Sequence, residues 1–312
     1  MFKKFLVYKS LAFFICSSIS LSFVSAVPIT EQQINNIKVH ANNIHKKLNL
    51  LGIFNNDYSN NIPENKLNEY FKKMSCDRWK MYFTNPEDYN KPGAFGKYKE
   101  EFKTPENYKN WNSRYNFPMA FSYNLASLNY NASIIESDKY IFLAIEAPSE
   151  QNSSEFCSLM EDNKNQIGLF VRLNVPDEYP DENYFPYWET WNICKLVSYN
   201  WKHRSDTSVN SLLDLINNIK NLDLKNKMIC VSCRAGCGRT GTFIASYILI
   251  KQIDDQLKNG IDKKNIKLNI DDIVWHVCIQ RPFAITHLSQ YVMLYRLVDL
   301  YINQLTPKEE VK

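Results

Sequence analysis

Cys233 and Arg239 stand six positions apart in the run Cys233-Arg234-Ala235-Gly236-Cys237-Gly238-Arg239-Thr240-Gly241. A thiol and a guanidinium at that spacing, on a glycine-containing loop, suit the capture of a phosphate group beneath a nucleophilic sulfur. Successive backbone N–H groups of such a loop point inward and, with the positive end of a helix dipole behind them, cradle a dianion. The same field favours a thiolate over a thiol, which is what makes cysteine a nucleophile. Cys233 sits at the base of this cradle as the nucleophile. Arg239 closes the rim, where its planar fork takes two phosphate oxygens and holds them as charge shifts in the transition state. Thr240 supplies a hydroxyl to the Cys233 sulfur as it leaves in a second step. Arg234, Ala235, Gly236, Cys237 and Gly238 line the cradle and contact the substrate. The chain has eight glycines, and Gly236, Gly238 and Gly241 all fall in this segment, where close approach to a ligand calls for them.

Such a loop needs a buried strand before it and a helix after it. The apolar run Met228-Ile229-Cys230-Val231 supplies the first, and Thr242-Phe243-Ile244-Ala245-Ser246-Tyr247-Ile248-Leu249 opens the second. Further strands are expected near 140–144, 167–173 and 196–200, and helices over 208–221, 241–257, 271–280 and 288–304. Residues 82–117 carry Pro86, Pro92, Gly93, Gly96 and Pro105 and read as loop-rich. Upstream, Thr30 and Gln33 resemble a capping box opening a helix with Ile34, Ile37, Ala41, Ile44, Leu48 and Leu51 on one face. A shorter stripe follows at Leu67, Tyr70, Phe71 and Met74, after a polar linker over 52–63. These two stripes are expected to pack against the catalytic domain as an N-terminal helical extension.

The cysteine loop resembles the active-site signature of the cysteine-dependent protein tyrosine phosphatases, and the likeness extends over about residues 70 to 302. Asn112-Ser113-Arg114-Tyr115 is similar to that family's substrate-recognition loop, with Tyr115 stacking on a flat aromatic substrate. Tyr130-Asn131-Ala132-Ser133 resembles its Tyr-Ile-Asn-Ala-Ser segment with one residue altered. Pro148, Phe156, Tyr187-Trp188, Trp201, Gln280-Arg281-Pro282 and Gln290-Tyr291 recur in the family's order. The resemblance implies an α/β fold: a single phosphatase-like domain with a highly twisted mixed sheet flanked by helices. It also implies a phosphotyrosine-containing protein, or another phosphomonoester, as substrate. The roles of nucleophile, arginine and hydroxyl carry over to Cys233, Arg239 and Thr240.

Several positions depart from the family pattern. Trp201-Lys202-His203 replaces the Trp-Pro-Asp lid, so the usual proton donor is missing. His203 can protonate a leaving oxygen, because an imidazolium beside a bound dianion is favoured, and Asp206 is the fallback donor. Ser232 stands where the family has a histidine, and Thr286 where it has the water-positioning glutamine. Gln290, the second glutamine of that loop, is retained, and the attacking water is assigned either to it or to the same acid acting as base. Arg234 adds a cation beside the cradle, which leaves phosphoinositides and inositol polyphosphates open as substrates. A phosphate-binding module with little or no turnover is the rival from another class. The phosphatase chemistry needs no metal and no cofactor, and no Cys/His set has zinc-site spacing.

With 312 residues and 45% hydrophobic content, the chain can build one large domain. Lys3, Lys4 and Lys9 precede the apolar run 11–24, and Val24-Ser25-Ala26 follows as a small-residue cleavage site. This pattern predicts a secretory signal peptide over 1–26 and an exported protein. The remaining boundaries are expected at 27–69 for the helical extension, 70–305 for the catalytic domain and 306–312 for a tail. Loss of three lysines and no acid leaves 34 basic against 33 acidic residues, a net charge of +1 in the mature chain. That balance, with no basic patch interleaved with aromatics, excludes broad nucleic-acid binding. No later segment is long and apolar enough for a stable membrane span. Cys76, Cys157, Cys194, Cys230, Cys233, Cys237 and Cys278 remain after cleavage, and Cys237 is close enough in the loop to be a resolving partner for an oxidised Cys233. Asn131-Ala132-Ser133 and Asn152-Ser153-Ser154 match the glycan acceptor pattern, but the first coincides with the segment that resembles the family's folded Tyr-Ile-Asn-Ala-Ser and is discounted as a glycan site.

Overall fold

The computed structural model describes residues 30–32, 34–35, 39, 62–82, 130–137, 139–149, 152–175, 194–202, 207–224, 226–281 and 283–305. The expected signal peptide, the recognition loop with Tyr115, the Tyr187-Trp188 pair, His203, Asp206 and the tail lie outside these residues. Most of the helix expected from Thr30 does too. Its opening turn is seen where Ile34 N donates to Thr30 O at 3.1 Å.

In chain order the elements are α1 (Glu64–Tyr82), β1 (Ala132–Ser137), β2 (Tyr140–Glu146), α2 (Ser153–Asp162), β3 (Ile167–Arg172) and β4 (Lys195–Ser198). They are followed by α3 (Val209–Ile219), β5 (Met228–Cys233), α4 (Gly238–Lys258), α5 (Ile270–Gln280) and α6 (Leu288–Gln304). The strands form one sheet in the order β1-β2-β5-β3-β4. β1 runs antiparallel to β2, while β2, β5, β3 and β4 are parallel to one another, so the sheet is mixed. Helices cover both faces, which is the α/β architecture expected above.

β5 is the central strand. With parallel neighbours on both sides it has no solvated face, and all six of its residues are buried. Its side chains alternate: Ile229, Val231 and Cys233 enter the larger core, while Met228 and Cys230 enter a smaller one roofed by Phe156, Leu159 and Met160 of α2. α4 returns over the larger core, packed by α3, α5, α6, β2 and β5. A helix so surrounded is apolar around most of its girth, and burial extends over residues 239–251 without a break.

No strand is expected at 132–137 from the sequence, because Ser133, Glu136 and Ser137 interrupt its apolar alternation. The structure places all six residues in the interior. As an edge strand, β1 is covered by α5: Gln280 Oε1 accepts from Glu136 N at 2.8 Å, and Gln280 Nε2 donates to Glu136 O at 3.1 Å. α1 continues unbroken across residues 69 and 70, the expected border between extension and catalytic domain. Its Leu67 and Met74 belong to the larger core, Phe71 packs on Tyr291 with ring centroids 5.5 Å apart, and Glu64 pairs with Arg296 at 2.7 Å.

Candidate active site

Cys233 is the last residue of β5, so the cysteine loop leaves the sheet at the C-terminal end of its central strand and runs straight into α4. Its carbonyl is held twice, by Ala147 N at 2.9 Å and by Gly236 N at 3.2 Å. The second bond closes a tight turn. Gly236 has φ +65°, and a methyl group on it would lie 2.3 Å from the carbonyl carbon and oxygen of Ile145 and 2.7 Å from Glu146 N. Only glycine fits there, both for its left-handed backbone and for the space left by β2.

Arg281, immediately after α5, holds the loop from behind. Its side chain is fully buried, and Nε donates to Gly236 O at 2.9 Å, Nη2 to Ala235 O at 2.9 Å and Nη1 to Ser133 Oγ at 3.1 Å. Drawing these two carbonyls toward one guanidinium aims the N–H of Cys237 the opposite way, because C=O and the following N–H are antiparallel in a trans peptide. The opening turn of α4 adds N–H groups that no carbonyl of the same helix accepts. These are the donors that the spacing assigns to an anion cradle.

Arg239 is buried at 3% exposure and reaches across the loop mouth to the chain after β3 and β4. Nη1 donates to Trp201 O and, at 3.4 Å, to Leu173 O. The arginine is therefore tied to the base of the segment that resembles a lid. Thr240 is fully buried, and its Oγ1 has no hydrogen-bond partner among the described residues, so it is not bonded to the Cys233 sulfur in this state. The Ser232 hydroxyl is buried in the same condition. Arg234 is exposed and Ala235 half-buried, at the rim of the loop.

Gln290 does reach the cradle. A methyl group on Gly238 would sit 2.9 Å from Gln290 Nε2 and 3.0 Å from Thr286 Oγ1. Gln290 Oε1 accepts from His287 N at 3.3 Å at the start of α6, which leaves Nε2 facing the loop. The connection between α5 and α6 is pressed onto α4: a methyl group on Gly241 would meet Ala284 Cβ at 2.6 Å. Phe283 and Ile285 adopt φ +61° and +52° there, a conformation that β-branched Ile285 tolerates at a cost on the order of 1–3 kcal/mol. Below it, Asp271 Oδ1 accepts from Tyr291 Oη and, at 3.1 Å, from Tyr295 Oη. Burial and the Asp271 carboxylate push both phenols well above the ordinary tyrosine range.

The six cysteines described, Cys157, Cys194, Cys230, Cys233, Cys237 and Cys278, are free thiols. Burial pushes the Cys237 thiol up to about 12; Arg281 pulls it down, while Cys233 and Glu146 add to the rise. Cys237 therefore stays protonated at neutral pH, its Sγ donating to Ala235 O at 3.4 Å on the Arg281 side of the loop. The glycan acceptor pattern is overturned at Asn152, and the discounted match at Asn131 is buried as well. Asn131 and Asn152 are fully buried, and both donate their side-chain amides to the Glu146 carboxylate, at 2.7 and 3.3 Å. A glycan on either would require the fold to open.

Sequence reasoning thus finds Cys233, Arg239, Gly236, Gly238 and Gln290 in one place and misses two groups that hold them. Arg281 is visible only as part of a family motif, since nothing local says which carbonyls it will meet. Glu146 carries no local signal; it reads as the polar end of an apolar strand.

The family model described as protein-tyrosine phosphatase matches residues 191–299. Over 84 residues the chain is 34% identical to tyrosine-protein phosphatase corkscrew of Drosophila virilis, a stretch covering 27% of this chain and 10% of that protein. It is 38% identical over 89 residues to tyrosine-protein phosphatase 3 of Schizosaccharomyces pombe, 27% of this chain and 28% of that one. The matches to the two corkscrew proteins thus span about a tenth of those relatives' length. Among solved structures, that of Tk-PTP in the active form aligns at 20% identity and a TM-score of 0.39, covering 54% of this chain and 96% of that one.

Proposed function

We infer that this chain, a divergent member of the protein-tyrosine phosphatase family, hydrolyses phosphomonoesters through a cysteinyl-phosphate intermediate, with phosphotyrosine in proteins as the substrate class. One observation carries the reading. The Cys233 sulfur closes the base of a loop whose Ala235 and Gly236 carbonyls are bonded away by Arg281, at the N-terminus of the buried helix α4. That arrangement concentrates positive field on one spot and costs no reorganisation when an anion arrives.

In the first step the Cys233 sulfur attacks phosphorus. An S–P bond forms as the P–O ester bond breaks, and His203 or Asp206 protonates the leaving oxygen. Arg239 exchanges its carbonyl partners for the oxygens of the transferring group. In the second step water, guided by the Gln290 amide, attacks the cysteinyl phosphate: a P–O bond forms as the S–P bond breaks, and the water's proton passes to His203 or Asp206 acting as base. General acid catalysis contributes about 10²–10⁴-fold, so esters of acidic phenols, which need little protonation, are the substrates least dependent on the altered lid. Export by the N-terminal signal belongs to the same proposal and is checked by the mass of the mature N-terminus.

The test is turnover of an aryl phosphate by purified protein beside Cys233→Ser and His203→Ala. Loss of turnover in Cys233→Ser with retained phosphate binding supports the enzyme. Tight phosphopeptide binding with no turnover in the parent protein would replace it with a binding module.

A further inference from the structure

Glu146 is the last residue of β2 and is paired in register with Cys233 of β5. Paired residues on parallel strands project to the same face of a sheet, at a strand spacing of about 4.8 Å. The carboxylate and the nucleophilic sulfur are therefore side by side beneath the cradle. Glu146 is fully buried, and several contacts fix it in place: Oε2 accepts from Asn131 Nδ2 at 2.7 Å, Oε1 from Asn152 Nδ2 at 3.3 Å, and its backbone O from Tyr130 Oη at 2.7 Å. Asn152 is itself anchored, its Oδ1 accepting from Ser149 N at 2.6 Å and Ser149 Oγ at 3.0 Å. The glycine that shapes the cradle rests on the Ile145–Glu146 peptide.

A buried carboxylate is costly unless hydrogen bonds compensate it. Here part of the compensation comes from two buried asparagine side chains, each donating its amide to the carboxylate. Such an arrangement holds a carboxyl group in a place where the neighbouring loop is built to attract anions. Resting on the phosphatase reading above, we propose that Glu146 is the counter-charge of the cradle: a positioning residue that weakens the hold on phosphate and so speeds product release. Arg239, Arg281 and the opening of α4 draw the anion in, and Glu146 sets how tightly it stays. The cradle thereby keeps its shape for the transition state without trapping its own product, in line with the rule that binding common to product and transition state does not raise turnover.

The experiment compares inorganic phosphate binding by calorimetry in the parent protein and in Glu146→Gln, which keeps the volume and removes the charge; the new side-chain oxygen still accepts from Asn152 Nδ2, and the new N–H donates to Asn131 Oδ1, which has no partner among the described residues, once that amide turns over. Phosphate should bind at least about tenfold more tightly in the variant, tenfold being the effect of one unit charge about 12 Å away in a medium of effective dielectric near 20. Inhibition of aryl phosphate hydrolysis by phosphate should strengthen by the same factor. A purely structural residue would give weaker or unchanged binding with a lower Tm, and that result overturns the proposal. If Glu146→Gln does not fold, Asn152→Asp sets a second carboxyl beside Glu146, where the Asn152 amide now stands at 3.3 Å, so that the pair shares a proton at low pH and gains a second charge as pH rises. Phosphate affinity should then fall more steeply with rising pH in Asn152→Asp than in the parent, and parallel pH profiles in the folded variant are equally decisive against the idea. Absence of phosphate binding in the parent would instead sink the cradle reading itself, so the two failures are told apart.

Discussion

Replacing Gly236 by alanine should separate the shape of the cradle from the stability of the domain, with Gly260→Ala as the matched control. Both glycines have positive φ, +65° and +79°, but nothing lies within 4 Å of a methyl group at Gly260, whereas at Gly236 that group meets the Ile145 carbonyl at 2.3 Å. A left-handed alanine costs about 1–2 kcal/mol, and the unfolded chain's lost freedom returns roughly 0.4–1 kcal/mol of that. Gly260→Ala should therefore lose about 1 kcal/mol or less. Gly236→Ala carries the same term plus overlap with a backbone that cannot retreat, because Ile145 and Glu146 are locked between β1 and β5. Overpacking of that kind costs about 1–3 kcal/mol more, for a total of roughly 2–4 kcal/mol. At about 2–4 °C per kcal/mol for a domain of this size, Tm should fall by up to about 4 °C in the control and by about 5–15 °C in Gly236→Ala. The loop must also move away from β2, and misplacement by an ångström can cost 10²-fold in rate, so aryl phosphate turnover should fall by about that factor or more in Gly236→Ala alone. Thermal melts followed by circular dichroism and steady-state kinetics on both variants read these outcomes. Gly236→Ala with the control's Tm and near-parental turnover would refute the claim that β2 shapes the cradle.

Gly238→Ala should behave in the opposite sense. Its methyl group meets the far end of the Gln290 side chain, which can swing aside, so stability should stay within about 1 kcal/mol while the amide proposed to guide water is displaced. Rapid mixing with an aryl phosphate should then show a larger burst relative to the steady state, and an unchanged burst would remove Gln290 from the second step. Alkaline pH should weaken the fold. The Cys237 thiol, raised to about 12 by burial from an ordinary value of 9.0, and the buried phenols of Tyr247, Tyr291, Tyr295 and Tyr301, raised in the same direction, all hold their protons more tightly when folded. Their contribution is fully present below the unfolded-state values and is lost as pH rises toward the folded ones. Urea midpoints should be flat from pH 7 to about 8.5 and fall steadily above about pH 9; a midpoint that holds to pH 11 would contradict the burial of these groups.

Local chemistry was enough to find the centre of this protein. The spacing of Cys233 and Arg239, the crowding of glycines between them, and the apolar runs on either side specify strand, loop and helix, because each is a matter of neighbouring residues and their backbone preferences. The strongly apolar elements β2, β3, β5, α4 and α6 were legible for the same reason. β1 and α2 were not. Ser133 and Glu136 are buried only because α5 covers the edge of β1, and α2 is one short stripe whose partner, Phe170, lies beyond its own sequence neighbourhood.

What only the tertiary structure decided is where charge is held. Arg281 is 45 residues from the carbonyl it binds at Gly236, and Asn131 and Asn152 meet on a glutamate at the end of another strand. Hydrogen-bond partners of buried charges are chosen by the path of the chain in space, since any donor brought within 3 Å serves as well as any other. The same physics turned two apparent glycan sites into interior supports. A residue type can announce that it will need a partner; only the fold can say which one it receives.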